Sequence, residues 1–217
     1  ERTLRQRSVL LREGRGDSTW LGALEETIAE LGVAIVAARC DVVGRLSVAM
    51  ADGGEVHPGA RLAVQGDVES WLDSQSALET EGNFRESLES SRDHDAMTGG
   101  ATTGPHRSDL AVWHTANGMP AHQCSTGEQK ALLIAILLAD ARLQAEARGT
   151  PPLLLLDEVT AHLDVARREA LFEAIEALGA QAWMTGTETA FFQPLKGRAQ
   201  FFSVRDGAIL AEGSARF

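Results

Sequence analysis

Cys124-Ser125-Thr126-Gly127-Glu128-Gln129, then Leu153-Leu154-Leu155-Leu156-Asp157-Glu158, then Ala161-His162-Leu163-Asp164, is the stretch whose reading decides the fold. Ser125 stands where a helix N-cap belongs, and the apolar residues after Gly127 predict a helix to about Arg148. A helix start presents unpaired backbone N–H groups and positive dipole density, and Gly127 lets an anion such as a phosphate approach the backbone. Ser125 and Glu128 also have the spacing of an ordinary capping box, which needs no ligand. Gly149-Thr150-Pro151-Pro152 stops the helix. Leu153 to Leu156 is too short for a helix after two prolines and too apolar for an exposed strand, which predicts a central parallel strand.

Asp157 and Glu158 follow at the carboxyl end of that strand, where ligands collect in open α/β sheets. Adjacent strand side chains point to opposite faces, so the two acids are expected to do different jobs. In a nucleotide site one carboxylate holds Mg²⁺, usually through water, and the next orients or deprotonates the attacking water. Solvated acids at a strand end are the plain alternative. Ser125–Gln129 one helix upstream and His162-Leu163-Asp164 just downstream favour the nucleotide site.

Working outward, residues 1–16 are arginine-rich and begin without methionine, which suggests a fragment. Asp17 or Ser18 can cap a helix carrying Leu21, Leu24, Ile28, Leu31, Ile35, Ala38 and Val42 at spacings of three and four, suited to one partner helix or to a small core. Gly22, Gly32 and Gly44 each cost a helix interior about 1 kcal/mol. Asp52-Gly53-Gly54 ends this region, Pro58-Gly59 marks a turn, and Leu62 and Val64 predict a short strand. Asp67 caps a helix to about Leu78, Glu81-Gly82-Asn83 interrupts it, and Phe84 to Arg92 forms another. Met97-Thr98-Gly99-Gly100 is a flexible connection. A strand at Leu110, Val112 and His114 is expected to open a second domain.

Downstream, Arg167 to Leu178 predicts a helix. Gln181–Met184, Gln200–Val204 and Ala208–Leu210 predict strands, with Asp206-Gly207 as a hairpin turn. Trp113 and Trp183 are expected in the core. His122 and Cys124 lack the second ligand pair of a metal site.

With 217 residues and 44% apolar content the chain can form a real core. A formal charge of −11 repels phosphate on average, which excludes a free-standing DNA-binding domain of the basic kind. Two cysteines give no disulfide framework and fit a reducing, cytoplasmic setting. No apolar run reaches the roughly 20 residues needed to span a bilayer, so a soluble protein without a membrane partner is expected.

Cys124 to Gln129 resembles the signature motif of ABC-type ATPases, Leu153 to Glu158 their Walker B strand, and Ala161 to Asp164 their D-loop. Gly104-Pro105-His106-Arg107-Ser108-Asp109-Leu110, Gly127-Glu128-Gln129-Lys130 and Gly179-Ala180-Gln181 are similar to the RecF family, bacterial recombination mediators related to SMC-type heads. Thr126 replaces the first signature glycine, Glu128 stands where transporters usually carry Gln, and Thr185-Gly186-Thr187 occupies the switch where many ABC ATPases have His. The resemblance implies an α/β fold: an ABC-type ATPase head, here its C-terminal lobe with a mainly parallel sheet flanked by helices (residues 96–217), and an inserted helical arm lobe (residues 1–95). It implies ATP and Mg²⁺ as ligands. Ser125, Thr126, Gly127 and Glu128 would bind nucleotide in trans, Asp164 would serve through the D-loop, Asp157 would hold Mg²⁺ through water, and Glu158 would be catalytic. Implied partners are DNA at gaps, a second RecF-like subunit, RecR and RecO, with RecA loaded indirectly, in a cytoplasmic, nucleoid-associated setting.

A P-loop reads Gly-x-x-x-x-Gly-Lys-Ser/Thr. The lysines, Lys130 and Lys196, have neither the preceding glycine nor the following hydroxyl. By the resemblance the P-loop is expected in an N-terminal segment outside this sequence, and ATP hydrolysis only once that segment and a dimer complete the site. An ABC transporter ATPase subunit and a non-catalytic interaction module are the alternatives. Gly104 to Leu110 and the helical lobe disfavour the first, and a fragment explains the missing P-loop more simply than the second.

Overall fold

The structure is a computed structural model describing residues 1–14, 17–51 and 58–212. The Asp52-Gly53-Gly54 turn lies outside the described residues. The chain divides into two compact units, one from Glu1–Ala51 and Ala60–Ala121, the other from His122 onward.

The first unit contains α1 (Arg2–Glu13), α2 (Ser18–Ala51), β1 (Ala60–Gln65), α3 (Asp67–Ser74), α4 (Ala77–Ser90), α5 (Arg92–Thr98) and β2 (Asp109–His114). α2 runs for 34 residues, on the order of 50 Å at 1.5 Å per residue. Its core side is formed by Leu21, Ile28, Val33 and Val36, whereas Leu31, Ile35 and Val42 are exposed. The stripe drawn from the sequence therefore starts on the buried face and leaves it. α2 is apolar around much of its circumference, so spacing alone does not choose the face. Gly32 does: a Cβ there would lie 2.6 Å from Phe84 Cε1, so the ring of α4 fills the notch that the glycine leaves.

α1, to which the sequence assigned no element, is held by a buried charge cluster. Arg7 donates from Nε to Glu25 Oε1 at 2.9 Å, from Nη1 to Asp95 Oδ2 at 2.7 Å, and from Nη2 to the Leu88 carbonyl at 2.5 Å. Arg92 Nη2 also donates to Glu25 Oε2 at 2.5 Å, and Ser91 Oγ and the Thr102 N–H donate to Asp95. The guanidinium and both carboxylates are thus hydrogen-bonded, the condition under which buried charge is tolerated.

Two expected boundaries move. The break expected at Glu81-Gly82-Asn83 falls instead at Gln75-Ser76, because Ser76 and Glu79 form a reciprocal capping box that starts α4 and carries it through Gly82. β2 pairs antiparallel with β1, Ala60 opposite His114 and Gln65 opposite Asp109, and so lies in the first unit. Residues 96–121, grouped by sequence with the second domain, accompany it.

The second unit contains α6 (Thr126–Arg148), β3 (Leu154–Leu156), α7 (Val165–Leu178), β4 (Ala182–Met184), a 3₁₀ segment (Thr189–Leu195), β5 (Phe201–Arg205) and β6 (Ala208–Glu212). β3 and β4 are parallel, Leu154 beside Ala182 and Leu156 beside Met184. β5 and β6 form a hairpin turned at Asp206-Gly207, both left-handed as that dipeptide requires. Ile134, Leu138, Leu156, Leu171 and Phe172 centre the core. Among the described residues β3 has β4 as its one neighbour, so the expected central position is not seen there. The pleat buries Leu154 and Leu156 but leaves Leu155 72% exposed, and Trp183, expected in the core, is 55% exposed and stacked on Phe202.

Replacing Arg7 with Met leaves Asp95 and Glu25 buried with fewer donors. The expected cost is about 3–5 kcal/mol, read as a lower urea midpoint.

Candidate functional site

The site-forming end of the second unit is built from the first turns of α6 and the chain that follows β3. Ser125 has an extended backbone and caps α6: its Oγ accepts from the Glu128 N–H at 3.3 Å, and Glu128 Oε2 accepts from the Ser125 N–H at 2.8 Å and its hydroxyl at 2.7 Å. The capping box is therefore formed, and it leaves the helix start at the surface, with Ser125 and Thr126 exposed. Gly127 has a second reason to lack a side chain. A Cβ there would meet the His162 carbonyl oxygen at 3.1 Å.

β3 ends at Leu156, so Asp157 and Glu158 belong to a turn and not to the pleat. The alternation expected to separate their roles does not extend to them. Glu158 instead adopts a left-handed backbone, φ 48°, as does His162, φ 61°. Such conformations cost a non-glycine residue about 1–2 kcal/mol and persist where neighbours hold them. The holders are identifiable. The Glu158 N–H donates to Thr185 Oγ1 at 2.9 Å, while the Glu158 carbonyl accepts from Lys130 Nζ and, at 3.2 Å, from the Ala161 N–H.

Thr185 begins beyond β4, where its own N–H donates to the Leu156 carbonyl at 3.0 Å. Its hydroxyl donates to Asp157 Oδ1. One threonine thus joins the two strand ends, fixes the Asp157 carboxylate and receives the Glu158 amide. Both acids remain exposed. Asp164 caps α7 by accepting from the Arg167 N–H at 2.8 Å, with Arg167 Nε 3.6 Å from its other oxygen.

Ser125, Thr126, Gly127 and Glu128 therefore share one helix start, and the turn carrying Glu158 and His162 packs against the same helix. Thr187 is exposed and has no hydrogen bond in this cluster. Among the described residues no three His, Cys, Asp or Glu side chains cluster as a complete metal cage. A single exposed carboxylate oxygen donor such as Asp157 fits Mg²⁺, which takes one or two carboxylates and completes its shell with phosphate and water. In the sequence Lys130 stands out only as a P-loop candidate. The signal for its other role is helical spacing, since Gly127, Lys130 and Ile134 fall on one face of α6. Partial burial draws the Lys130 pKa below the ordinary lysine range, opposed by the charge of Glu158.

The Gly104–Leu110 motif lies in the first unit. Gly104 is left-handed, φ 138°, with its Cβ position 3.0 Å from Phe84 Cζ, and Ser108 Oγ donates to Glu69 Oε1 at 2.5 Å. Among the described residues no helix is long and apolar enough to cross a membrane.

Replacing Thr185 with Val removes the donor to Asp157 and the acceptor for the Glu158 amide. A loss of about 1–2 kcal/mol is expected from two such bonds, with most of it restored by Thr185→Ser, in paired urea denaturations.

Residues 62–201 match a family model described as "AAA domain, putative AbiEii toxin, Type IV TA system". The chain is 48% identical to "DNA replication and repair protein RecF" of Mesorhizobium japonicum, over 96% of this chain and 56% of that protein. Likeness to the protein of the same name from Brucella abortus is 48% over 96% of this chain and 55% of the relative. The solved "Structure of the recombination mediator protein RecF-ATPrS in RecFOR pathway" superposes with a TM-score of 0.75 at 20% identity, covering 98% of this chain and 56% of that one. A second, of "RecF-ATP", gives 0.75 at 21% identity, covering 97% and 56%. The chain thus spans about half the length of the relatives it matches.

Proposed function

The chain belongs to the family of AAA-type ATPase domains and is, along nearly its whole length, a relative of RecF, and from that premise we propose that it forms part of an ATP-driven clamp acting on DNA in replication and repair. The observation that carries the reading is the joining of two chemically different elements in one unit. An open helix start, Ser125 to Gly127, sits on α6, and two exposed acids, Asp157 with its carboxylate bonded to Thr185 and Glu158 with its backbone N–H and carbonyl both bonded, sit on the turn packed against α6.

Ser125, Thr126, Gly127 and Glu128 bind the nucleotide held by a second subunit. Their backbone N–H groups and helix dipole suit a phosphate, and the Ser125 hydroxyl can turn from Glu128 toward one. Asp157 and Glu158 serve the nucleotide held on their own side. Mg²⁺, when bound beside Asp157, neutralises phosphate charge. The Asp157 carboxylate is kept in one orientation by the Thr185 hydroxyl. Glu158 orients the attacking water and takes up its proton. Asp164, as the cap of α7, holds the D-loop at the subunit interface. The phosphate-binding loop comes from a segment outside these 217 residues.

In this scheme ATP closes two subunits around DNA at a gap, and the closed dimer assists RecR and RecO in loading RecA on single strands, at the nucleoid. Hydrolysis by Glu158 opens the dimer. The likeness to RecF favours this over a transporter subunit, and the two exposed acids held on one turn beside the open helix start favour it over a passive interaction module.

The chain alone is expected to bind ATP no tighter than millimolar in calorimetry. Joined to a P-loop segment, it should dimerise with ATP in analytical ultracentrifugation, and Glu158→Gln should trap that dimer on gapped DNA. An ATP-indifferent monomer with no preference for gaps overturns the proposal.

A further inference from the structure

α6 meets the turn after β3 at two points on one face, the first at Gly127, whose missing Cβ admits the His162 carbonyl oxygen at 3.1 Å. The second is one turn later, where Lys130 Nζ donates to the Glu158 carbonyl. Ile134, on the same face, enters the core cluster with Val159 and Leu163. Contacts to residues 158–163 thus line one edge of the helix that begins with the signature. Of these contacts the one at Lys130 is made by a charged group. Glu158 is left-handed, and with its N–H held by Thr185 and its carbonyl by Lys130 both flanking peptide planes are fixed; together they set the direction of the Cα–Cβ bond, from which the side chain reaches its carboxylate.

We propose that Lys130 is a positioning residue of the hydrolysis site: its ammonium holds the Glu158 carbonyl, and with it the left-handed backbone that aims the Glu158 carboxylate. This rests on the reading of Glu158 given under Proposed function. Movement of the signature helix toward a partner's nucleotide then reaches the water-activating acid of the same subunit directly. Signature and acid serve two different nucleotides, so Lys130 links one site to the other within a single chain. Arginine can keep the bond, since it carries the charge and the donors. Methionine or glutamine of similar length cannot keep the charge-assisted bond.

The test has two arms. In the 217-residue chain, amide hydrogen exchange is followed at Glu158 and Ala161 for Lys130, Lys130→Arg, Lys130→Gln and Lys130→Met. Exchange about tenfold faster or more in Lys130→Met and Lys130→Gln, with Lys130→Arg near the unsubstituted chain, is expected for loss of a charge-assisted bond. Unchanged exchange overturns the proposal. In the assembly completed with a P-loop segment, Lys130→Met is expected to lower kcat at least tenfold with KM for ATP unchanged, and Lys130→Arg to recover most of it. A rise in KM with kcat intact, or hydrolysis indifferent to Lys130→Met, overturns the proposal alone. Absence of hydrolysis in the unsubstituted assembly removes the assignment of Glu158 and this proposal with it. Far-UV circular dichroism of each variant confirms folding, and Lys130→Gln carries the comparison where Lys130→Met does not fold.

Discussion

The peptide groups flanking Glu158 are fastened from outside their own turn: Thr185 takes the Glu158 N–H and Lys130 donates to the Glu158 carbonyl. Without those bonds a left-handed glutamate would relax, because the conformation costs roughly 1–2 kcal/mol in an L-residue with a Cβ. The bonds come from the end of β4 and the second turn of α6, two elements far apart in sequence. Asp157 is secured by the same threonine hydroxyl. The Asp157 carboxylate is therefore exposed but held, and the Glu158 side chain leaves a backbone that is held on both sides. Preorganised charge of this kind is what an electrostatically catalysed phosphoryl transfer requires.

The first unit uses charge for a different end. Arg7, Glu25 and Asp95 are buried to within a percent or so, and each is hydrogen-bonded to a group from another helix. Such a cluster contributes little net stability against an apolar replacement, but it penalises every arrangement in which α1, α2 and α5 do not meet at that point. Gly32 acts in the same sense through shape, because Phe84 fits only where α2 has no Cβ. Register along a long helix with more than one apolar face is thereby fixed by one arginine and one glycine.

Much of this was legible in the sequence where a local rule had a single answer. The cap at Ser125, the stop at Gly149, the parallel pairing class of Leu154–Leu156 and the Asp206-Gly207 turn each follow from nearby residues. The rest needed partners distant in sequence. Leu31, Ile35 and Val42 fit helical spacing as well as Val33 and Val36 do, and partners far along the chain, Phe84 at Gly32 among them, choose between them. β2 reads as the start of a new domain until its pairing with β1 is seen. Lys130 looked uninformative because its partner is a backbone carbonyl, which no side-chain pattern reveals. The sequence singles out Asp157 and Glu158, but what separates the two acids is a turn conformation and not strand alternation.

The central claim is that one chain contributes to two nucleotide sites, its helix start to the partner's and its acids to its own. Mixing two inactive variants of the completed protein tests it most directly, one carrying Ser125→Arg and the other Glu158→Gln. If the helix start acts in trans, the mixed dimer has one site with both defects and one with neither, and ATP hydrolysis returns to about half per mixed dimer. If it acts in cis, every site retains a defect. Mixtures no more active than either variant alone contradict the account.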